Sequence, residues 1–515
     1  MKALLLIVTA LVAALVGAHL IFRPPTLDGR STSEAVEASI MTSLGRLALT
    51  PPEGRAGDSG VVPLIDARDA FAARVALIRS AEVSLDVQYY IWRRDTTGLI
   101  LLDELRRAAG RGVRVRLLLD DNGISGLDRD LAALDAVPNV EVRLFNPFIL
   151  RRPKALGFAF DFFRLNRRMH NKSLTADGAL SILGGRNVGD VYFAFGDGVQ
   201  FIDADVLVTG AAAAEIGDDF DRYWSSRSAH PADRILPNPD ATALAELTAD
   251  ASAAANTAEG WKYSEQLQGS HVVTGIISGG LAFEWTDVIL VSDDPAKGLG
   301  HAEVNDLLFP QLMELLARPS ASVDLVSAYF VPGVRFAHAL ANLARDGTRV
   351  RILTNSPDAT DVIIVHSAYV NYRPELLRAG VELYELKAAF AADPEDERLG
   401  AAGSSRASLH SKALAVDGRR IFIGSFNFDP RSFALNTEMG VLIDSPALAA
   451  GLARAFSEIF PDRSYRPILL DDGSLVWAET SVAGGVVLHH DEPGTTLLTR
   501  RMLSLLGWLP IEWLL

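Results

Sequence analysis

The stretches MHNKSLTADGALSILGGRN (169–187) and LHSKALAVDGRRIFIGSFN (409–427) decide how the rest of the chain is read. Each carries His-x-Lys-x4-Asp, as His170/Lys172/Asp177 and His410/Lys412/Asp417, with the two histidines 240 residues apart. Each begins as an extended segment, where residues i and i+2 share a face, so His and Lys point the same way. Each then turns at Asp-Gly and closes on a second strand ending in Gly-Gly-Arg-Asn or Gly-Ser-Phe-Asn. The glycines permit close backbone approach.

Working outward, the surroundings repeat at nearly the same shift. Val83-Ser84 corresponds to Val323-Asp324, and Tyr89-Tyr90 to Tyr329-Phe330. GVRVRLLL (112–119) matches GTRVRILT (347–354), and VEVRLF (140–145) matches VELYEL (381–386). The stretches 84–92, 113–120 and 140–145 read as strands, and Leu99–Ala109 as an amphipathic helix. Strands alternating with helices predict an α/β fold with parallel pairing, flanked by helices. The repeat predicts two similar lobes in one chain, a duplication rather than one large domain.

An imidazole and an ammonium on one face suit a phosphate: one can attack or carry a proton, the other holds an oxygen. Asn187 and Asn427 can donate amide hydrogens to the same oxygens. Two copies facing one another would set histidines on opposite sides of one phosphorus, as in-line displacement requires. One histidine would attack, and the other would protonate the leaving alkoxide and later deprotonate the incoming alcohol. Asp203 (FIDADVLV) and Glu438 (NTEMGVLI) fall at matching places in the repeat, where a carboxylate could bond the far imidazole nitrogen.

Net charge is −15, against broad nucleic-acid binding, and there is no cysteine, which excludes disulfides, thiolate catalysis and cysteine–zinc sites. Residues 3–22 are apolar but for His19, and about 20 helical residues span one hydrocarbon core. Residues 1–25 read as a membrane anchor, or as a signal peptide cut after Val16-Gly17-Ala18; both place the bulk outside the cytoplasm. Residues 26–60 read as a linker with one short helix, 61–235 as the first lobe, 236–300 as an insert and 301–465 as the second lobe. The tail, 466–515, carries LLTRRMLSLLGWLPIEWLL (497–515) and reads either as a membrane-interfacial segment or as docked on the second lobe.

Other features have two readings each. Gln88, Tyr89 and Tyr90 either meet head groups or pack the core. Lys297, in SDDPAKG (292–298), is a solvated turn or a phosphate contact, and His366 a buried residue or a cleft residue. Arg151, Arg152, Lys154, Arg164, Arg167 and Arg168, interspersed with Phe158, Phe160, Phe162 and Phe163, suggest a surface for anionic lipid or an ordinary amphipathic helix.

The paired motifs resemble those of the phospholipase D superfamily. DVQYYIW, RGVRVRLLLDDN, VRLFNPF, LNRRMHNKS, GGRNVGD, SDDPAKG, LTNSPDATD, GVELYEL, IGSFNFDPRS and LNTEMG, together with the final PIEWLL, resemble the bacterial cardiolipin synthase C type from about Pro63 to Leu515. The resemblance implies two phospholipase D-like lobes and phosphatidyl transfer without metal or other cofactor. Phosphatidylglycerol and phosphatidylethanolamine would give cardiolipin and ethanolamine. It implies a membrane-bound enzyme at a bacterial inner membrane, catalytic lobes on the periplasmic side, acting on phospholipids and not nucleic acid, with an accessory protein left open. His170 would be the nucleophile and His410 the general acid/base, although the pseudo-symmetry allows either to attack. Lys172, Lys412, Asn187 and Asn427 would bind phosphate, and Asp203 and Glu438 would orient the histidines. Asp177 and Asp417 complete each catalytic motif but would stabilise its turn rather than touch substrate. The alternatives are a hydrolytic phospholipase D, a nucleic-acid phosphodiesterase and a non-enzymatic membrane scaffold.

Overall fold

A computed structural model describes residues 1–515 except 197–198, 389–406, 482–484, 508–511 and 515. The first lobe is built on β1 (Ser59–Leu64), β2 (Ser84–Ile91), β3 (Arg114–Gly123), β4 (Val140–Phe145), β5 (Ser173–Ala176) and β6 (Leu180–Gly184). A short β7 (Gln200–Ile202) stands apart, and β8 (Asp205–Gly210), β9 (Ala229–Pro231) and β10 (Glu284–Thr286) complete the set. The sheet runs β10-β1-β8-β6-β5-β2-β3-β4-β9. Only β2-β3-β4 are parallel; the motif hairpin β5-β6 and its neighbours are antiparallel, so the sheet is mixed.

The second lobe repeats this plan. Its strands are β11 (Val288–Ser292), β12 (Ser322–Ser327), β13 (Arg349–Asn355), β14 (Glu382–Leu386), β15 (Ala407–Leu409), β16 (Lys412–Val416), β17 (Arg420–Gly424) and β18 (Met439–Asp444). β19 (Ser464–Leu469), β20 (Leu475–Thr480) and β21 (Val486–His489) follow. The order is β11-β18-β17-β16-β12-β13-β14-β19-β20-β21, with β12-β13-β14 parallel. The lobes even share a buried ion pair between their first two parallel strands: Asp86–Arg116 at 2.6 Å and Asp324–Arg351 at 2.7 Å, directly opposite in register.

The first core forms where the helices Ala67–Ser80 and Thr96–Gly110 lay Phe71, Val75, Ile78, Leu101 and Leu105 onto Leu85, Val87 and Leu117 of the sheet. Each helix starts on an aspartate cap, Asp66 accepting from Asp69 N and Asp95 from Gly98 N. The second core repeats this with helices Leu308–Leu316 and Gly333–Arg345.

Three regions lie outside the two repeated cores. Residues 26–60 contain the helix Ser43–Ala48 but are strapped along the first lobe: Arg30 donates to the carbonyls of Ser226 and Ala229, and Leu44 is buried. The region 236–300 is divided between the lobes. Its helices Ala243–Ala255 and His271–Ser278 pack on the first lobe, β10 joins the first sheet and β11 the second. The tail extends the second sheet through β20 and β21, and its helix Leu497–Leu506 lies on helix Ile363–Tyr369. Leu497, Leu498, Leu505 and Trp513 remain exposed; Trp508 and Pro510 lie outside the described residues.

The helix Lys2–Ile21 has a mean hydropathy of 2.6 and none of it is buried, so it is long and apolar enough to cross a membrane. Its end leans on helix Phe158–Leu165, where Phe22 stacks on Phe160 at 5.4 Å and His19 Nδ1 lies 3.0 Å from Phe160 O.

Asp205, fully buried on β8, receives Arg74 at 2.8 Å, Arg186 at 3.4 Å and the Arg186 amide. Asp205→Ala leaves two buried guanidinium groups short of their counter-charge. The expected loss is about 3–5 kcal/mol, readable by chemical denaturation.

Candidate functional site

Each motif histidine precedes its strand: His170 stands three residues before β5 and His410 two before β16. Both are nearly buried, each 6% exposed. Their backbones are fixed by the opposite lobe. His170 N donates to Thr437 O at 2.8 Å, and Thr437 N to Arg168 O at 2.9 Å. In the matching place, β15 pairs in parallel with β7, and His410 N donates to Ile202 O at 2.8 Å.

This exchange of edges decides the orientation of the rings. The segment leading to Asp203 lies beside His410, and the segment leading to Glu438 beside His170. His410 Nδ1 is 2.5 Å from Asp203 Oδ2, and His170 Nδ1 is 2.8 Å from Glu438 Oε2. Each histidine is therefore bonded by the carboxylate of the other lobe, a crossing that spacing along the chain did not reveal. With Nδ1–H donating to a carboxylate, Nε2 is left with its lone pair.

The carboxylates differ in length, and their surroundings compensate. Beside Asp203 stands Gly185, where a Cβ would come within 2.0 Å of Asp203 Oδ1. The matching residue in the second lobe is Ser425, whose hydroxyl donates to Glu438 Oε2 at 2.5 Å, while Ser432 donates to Oε1 at 2.8 Å. The shorter acid sits against glycine; the longer one is gripped by two hydroxyls.

Lys172 and Lys412 are buried and form no ion pair among the described residues. Each ammonium donates to the carbonyl of its own motif histidine. Burial pulls Lys172 down to about 7 and lowers Lys412 as well. Burial, with Lys172, Lys412 and His410 nearby, holds His170 well below the usual imidazole range. His410 is lowered by burial and Lys412, with Asp203 working against both. Burial would raise Asp203, but the charges of His410 and Lys412 outweigh it and hold it well below the carboxylate range. Burial pushes Glu438 up to about 6 despite Lys172. An anionic phosphate between the two ammonium groups would add to the counter-charge that Glu438 and Asp203 exert on both and favour their charged forms.

Asn187 is tied to the scaffold, accepting from Ile91 N and donating to the Tyr192 hydroxyl, both at 3.1 Å. Asn427 is buried, and its Oδ1 has no hydrogen-bond partner among the described residues. Aromatic rings line the histidines: Tyr90 meets His170 edge-on at 4.9 Å, and Tyr192 and Phe201 lie 5.2 and 5.1 Å from His410. Of the aromatic run in β2, Tyr90 thus belongs to the site, whereas Tyr89 bonds Arg74 in the core. Tyr192 and Phe201 were not singled out from the sequence; their only signal is proximity in the chain to Asn187 and Asp203.

The motif aspartates sit at the hairpin turns. Asp177 accepts from the backbone N–H groups of Glu82, Val83 and Ser84, and Asp417 from those of Ser320, Ala321 and Ser322. Both have φ of 53°, the left-handed conformation that closes the hairpin. Six residues separate each from its histidine, a span of about 20 Å when extended, so they pin the turn and do not meet the reacting atoms.

Lys297 is neither a solvated turn nor a phosphate ligand. It is buried against Asp293 at 2.8 Å, and the same Asp293 accepts from the Glu438 amide. His366 is a buried residue bonded to Glu492 at 2.9 Å. Most of the basic stretch is internally paired: Arg151 and Lys154 with Asp121, Arg164 with Asp161, and Arg168 with Asp120.

Two copies of an imidazole–lysine pair, near enough for His170 to feel the charges of Lys412 and His410, define a phospholipase D-like phosphodiester site. The chain matches the family described as cardiolipin synthase, phospholipase D-like domain, over residues 75–224 and 312–460. The protein belongs to this cardiolipin synthase family. It is 44% identical over 459 residues to cardiolipin synthase C of Escherichia coli, covering 89% of this chain and 97% of that one. A cardiolipin synthase of Geobacillus kaustophilus is 29% identical over 77% of this chain and 65% of its own. Among solved structures, a phosphatidylserine synthase of Haemophilus influenzae shares the fold with a TM-score of 0.55 at 15% identity, covering 88% of this chain and 95% of that one.

The carboxylate beside His410 favours its protonated form, so its removal lowers that pKa. If protonated His410 sets the alkaline limb of kcat/KM, Asp203→Asn moves this limb to lower pH, and kcat drops by about 10²–10⁴-fold, as for a lost acid/base or orienting group. A pH–rate profile of the variant beside the wild type reads both effects.

Proposed function

We propose that the chain joins two phospholipids by phosphatidyl transfer, making cardiolipin from phosphatidylglycerol and phosphatidylethanolamine or a second phosphatidylglycerol. The observation that carries this is the pair of histidines, each bonded at Nδ1 by the other lobe's carboxylate and flanked by a buried ammonium that forms no ion pair among the described residues.

His170 is the nucleophile in this reading. Burial and the neighbouring Lys172 and Lys412 favour its neutral form, and its Nε2 attacks the donor phosphorus. The P–O bond to the leaving alcohol breaks as a phosphohistidine forms. His410, kept nearer to its protonated form by the ionised Asp203, gives that alkoxide its proton. It then takes the proton of the acceptor's hydroxyl, which attacks the phosphohistidine and frees His170. Lys172, Lys412 and the amides of Asn187 and Asn427 hold the non-bridging oxygens. Near-complete burial of both rings favours an alcohol acceptor delivered by a lipid over bulk water.

The test is product analysis in membranes lacking other cardiolipin synthases, supplied with defined lipids. Cardiolipin is expected, and phosphatidic acid as the sole product would replace transfer by hydrolysis. His170→Ala and His410→Ala are each expected to lower transfer by at least about 10³-fold with folding unchanged. With labelled donor, an acid-labile, alkali-stable phosphoenzyme is expected in the wild type and not in His170→Ala. Label that persists there would move the nucleophile to His410.

The helix Lys2–Ile21 serves as an anchor in this reading, with the lobes on the periplasmic face of the inner membrane. Because the chain has no cysteine, Asp472→Cys on an exposed turn gives a background-free probe. A membrane-impermeant maleimide is expected to label it in intact spheroplasts; labelling only after lysis would reverse the orientation.

A further inference from the structure

The lobes close the helix-covered faces of their sheets differently. In the first, helices Ala67–Ser80 and Thr96–Gly110 pack on each other, and Ala243–Ala255 and His271–Ser278 lie over them. In the second, the corresponding helices Leu308–Leu316 and Gly333–Arg345 meet through the edge-to-face rings of Phe309 and Phe336, 5.3 Å apart, while the inserted helices pack on the first lobe. A cavity of about 1140 Å³ remains between them and the sheet. Its walls are apolar, with Met313, Leu316, Phe336, Ala339, Leu343 and Val416 prominent. It is larger than the ~300–1,000 Å³ of ordinary small-molecule sites and has few polar groups to fix a compact polar ligand.

The cavity is linked to the reacting groups through two elements. Lys412, Leu414 and Val416 share one face of β16 by strand alternation, and Leu414 and Val416 line the cavity. The helix Pro430–Ala434 contributes Pro430 and Phe433 to the wall, while its Ser432 bonds Glu438. The same helix sends Arg431 to Asn166 O at 2.8 Å. Asn166 follows the helix whose Phe160 stacks on Phe22 at the end of the apolar helix. One short helix thus joins the cavity, the carboxylate that bonds His170, and the membrane-proximal element.

We propose that this cavity receives the acyl chains of one phospholipid substrate while its phosphate lies between the histidines. The inference rests on the phospholipid reading of the site and adds where the hydrocarbon goes. The occupant is set by the apolar lining, by a volume suited to a long aliphatic ligand, and by the wall helix Pro430–Ala434, whose Ser432 bonds Glu438 of the site and whose Arg431 bonds Asn166 beside the membrane-proximal helix.

The test uses the purified full chain in detergent with two donors, dioleoyl- and dihexanoyl-phosphatidylglycerol. Ala339→Trp fills the cavity away from the catalytic groups. It is expected to raise KM for the long-chain donor about tenfold or more, with kcat/KM for the short-chain donor within about twofold of wild type. Short-chain turnover also reports correct folding; should Ala339→Trp fail to fold, Val334→Asp at the exposed rim carries the same expectation. An unchanged long-chain KM, or an equal loss on both donors, as expected if the cavity serves packing or a protein partner, overturns the inference. A wild type that turns over neither donor refutes the phospholipid reading itself, and the inference with it.

Discussion

The structure turns on two crossed hydrogen bonds, His170 to Glu438 and His410 to Asp203. Each imidazole is supplied by one lobe and oriented by the other. The bonds are the ends of a larger exchange, in which the strand edge before each histidine pairs with the strand edge before the opposite carboxylate. A lobe alone would hold a histidine with Nδ1 unsatisfied and a carboxylate without the imidazole it orients. Burying those groups unpaired costs several kcal/mol each, so the interface and the site are one construction. This gives the duplication a physical reason: the second copy completes the first, as well as repeating it.

Much of this was legible beforehand, and the limits follow from what spacing encodes. Motif and repeat spacing showed that His170 and His410 are equivalent, and likewise Asp203 and Glu438. Equivalence does not say which equivalent partner a group meets, so the crossing was invisible. The same holds for region 236–300. Its composition marked a break in symmetry, yet β10 and β11 go to different sheets because strand partners are fixed by edges far away in sequence. Lys297 misled for a local reason. A short Pro-Ala-Lys-Gly segment looks solvated, but Asp293 beside it is held under the Glu438 amide, and the lysine is drawn in as its counter-charge. Conversely, the glycine-to-serine change between Gly185 and Ser425 was readable and is explained by the Asp203-to-Glu438 change beside each.

The electrostatics break the pseudo-symmetry that the backbone keeps. Asp203 stays firmly ionised beside His410, whereas Glu438 is raised to about 6 beside a depressed His170. A symmetric scaffold with one imidazole kept neutral and the other nearer to its protonated form is what an attack-and-protonate sequence needs. The two ammonium groups between them lack ion-pair partners among the described residues and are lowered by burial. They are a standing electrostatic demand for an anion at the centre, and a diester phosphate meets it with a single charge that both can share.

The asymmetry extends from the charges to the packing. The inserted helices press the first lobe shut around its core, while the second lobe keeps a large apolar cavity in the equivalent layer. Close packing is the ordinary condition of protein interiors, and an unfilled apolar volume forfeits dispersion contacts that its neighbour retains. The first lobe shows that the same layer can be filled. Its persistence in the second, next to the helix that carries Ser432 and Arg431, is therefore best understood as space kept for a ligand that arrives with its own hydrocarbon. A lipid-joining site must handle two molecules whose reacting phosphate is a small part of each. A duplicated scaffold answers this by using its symmetry for the phosphate and its asymmetry for the chains.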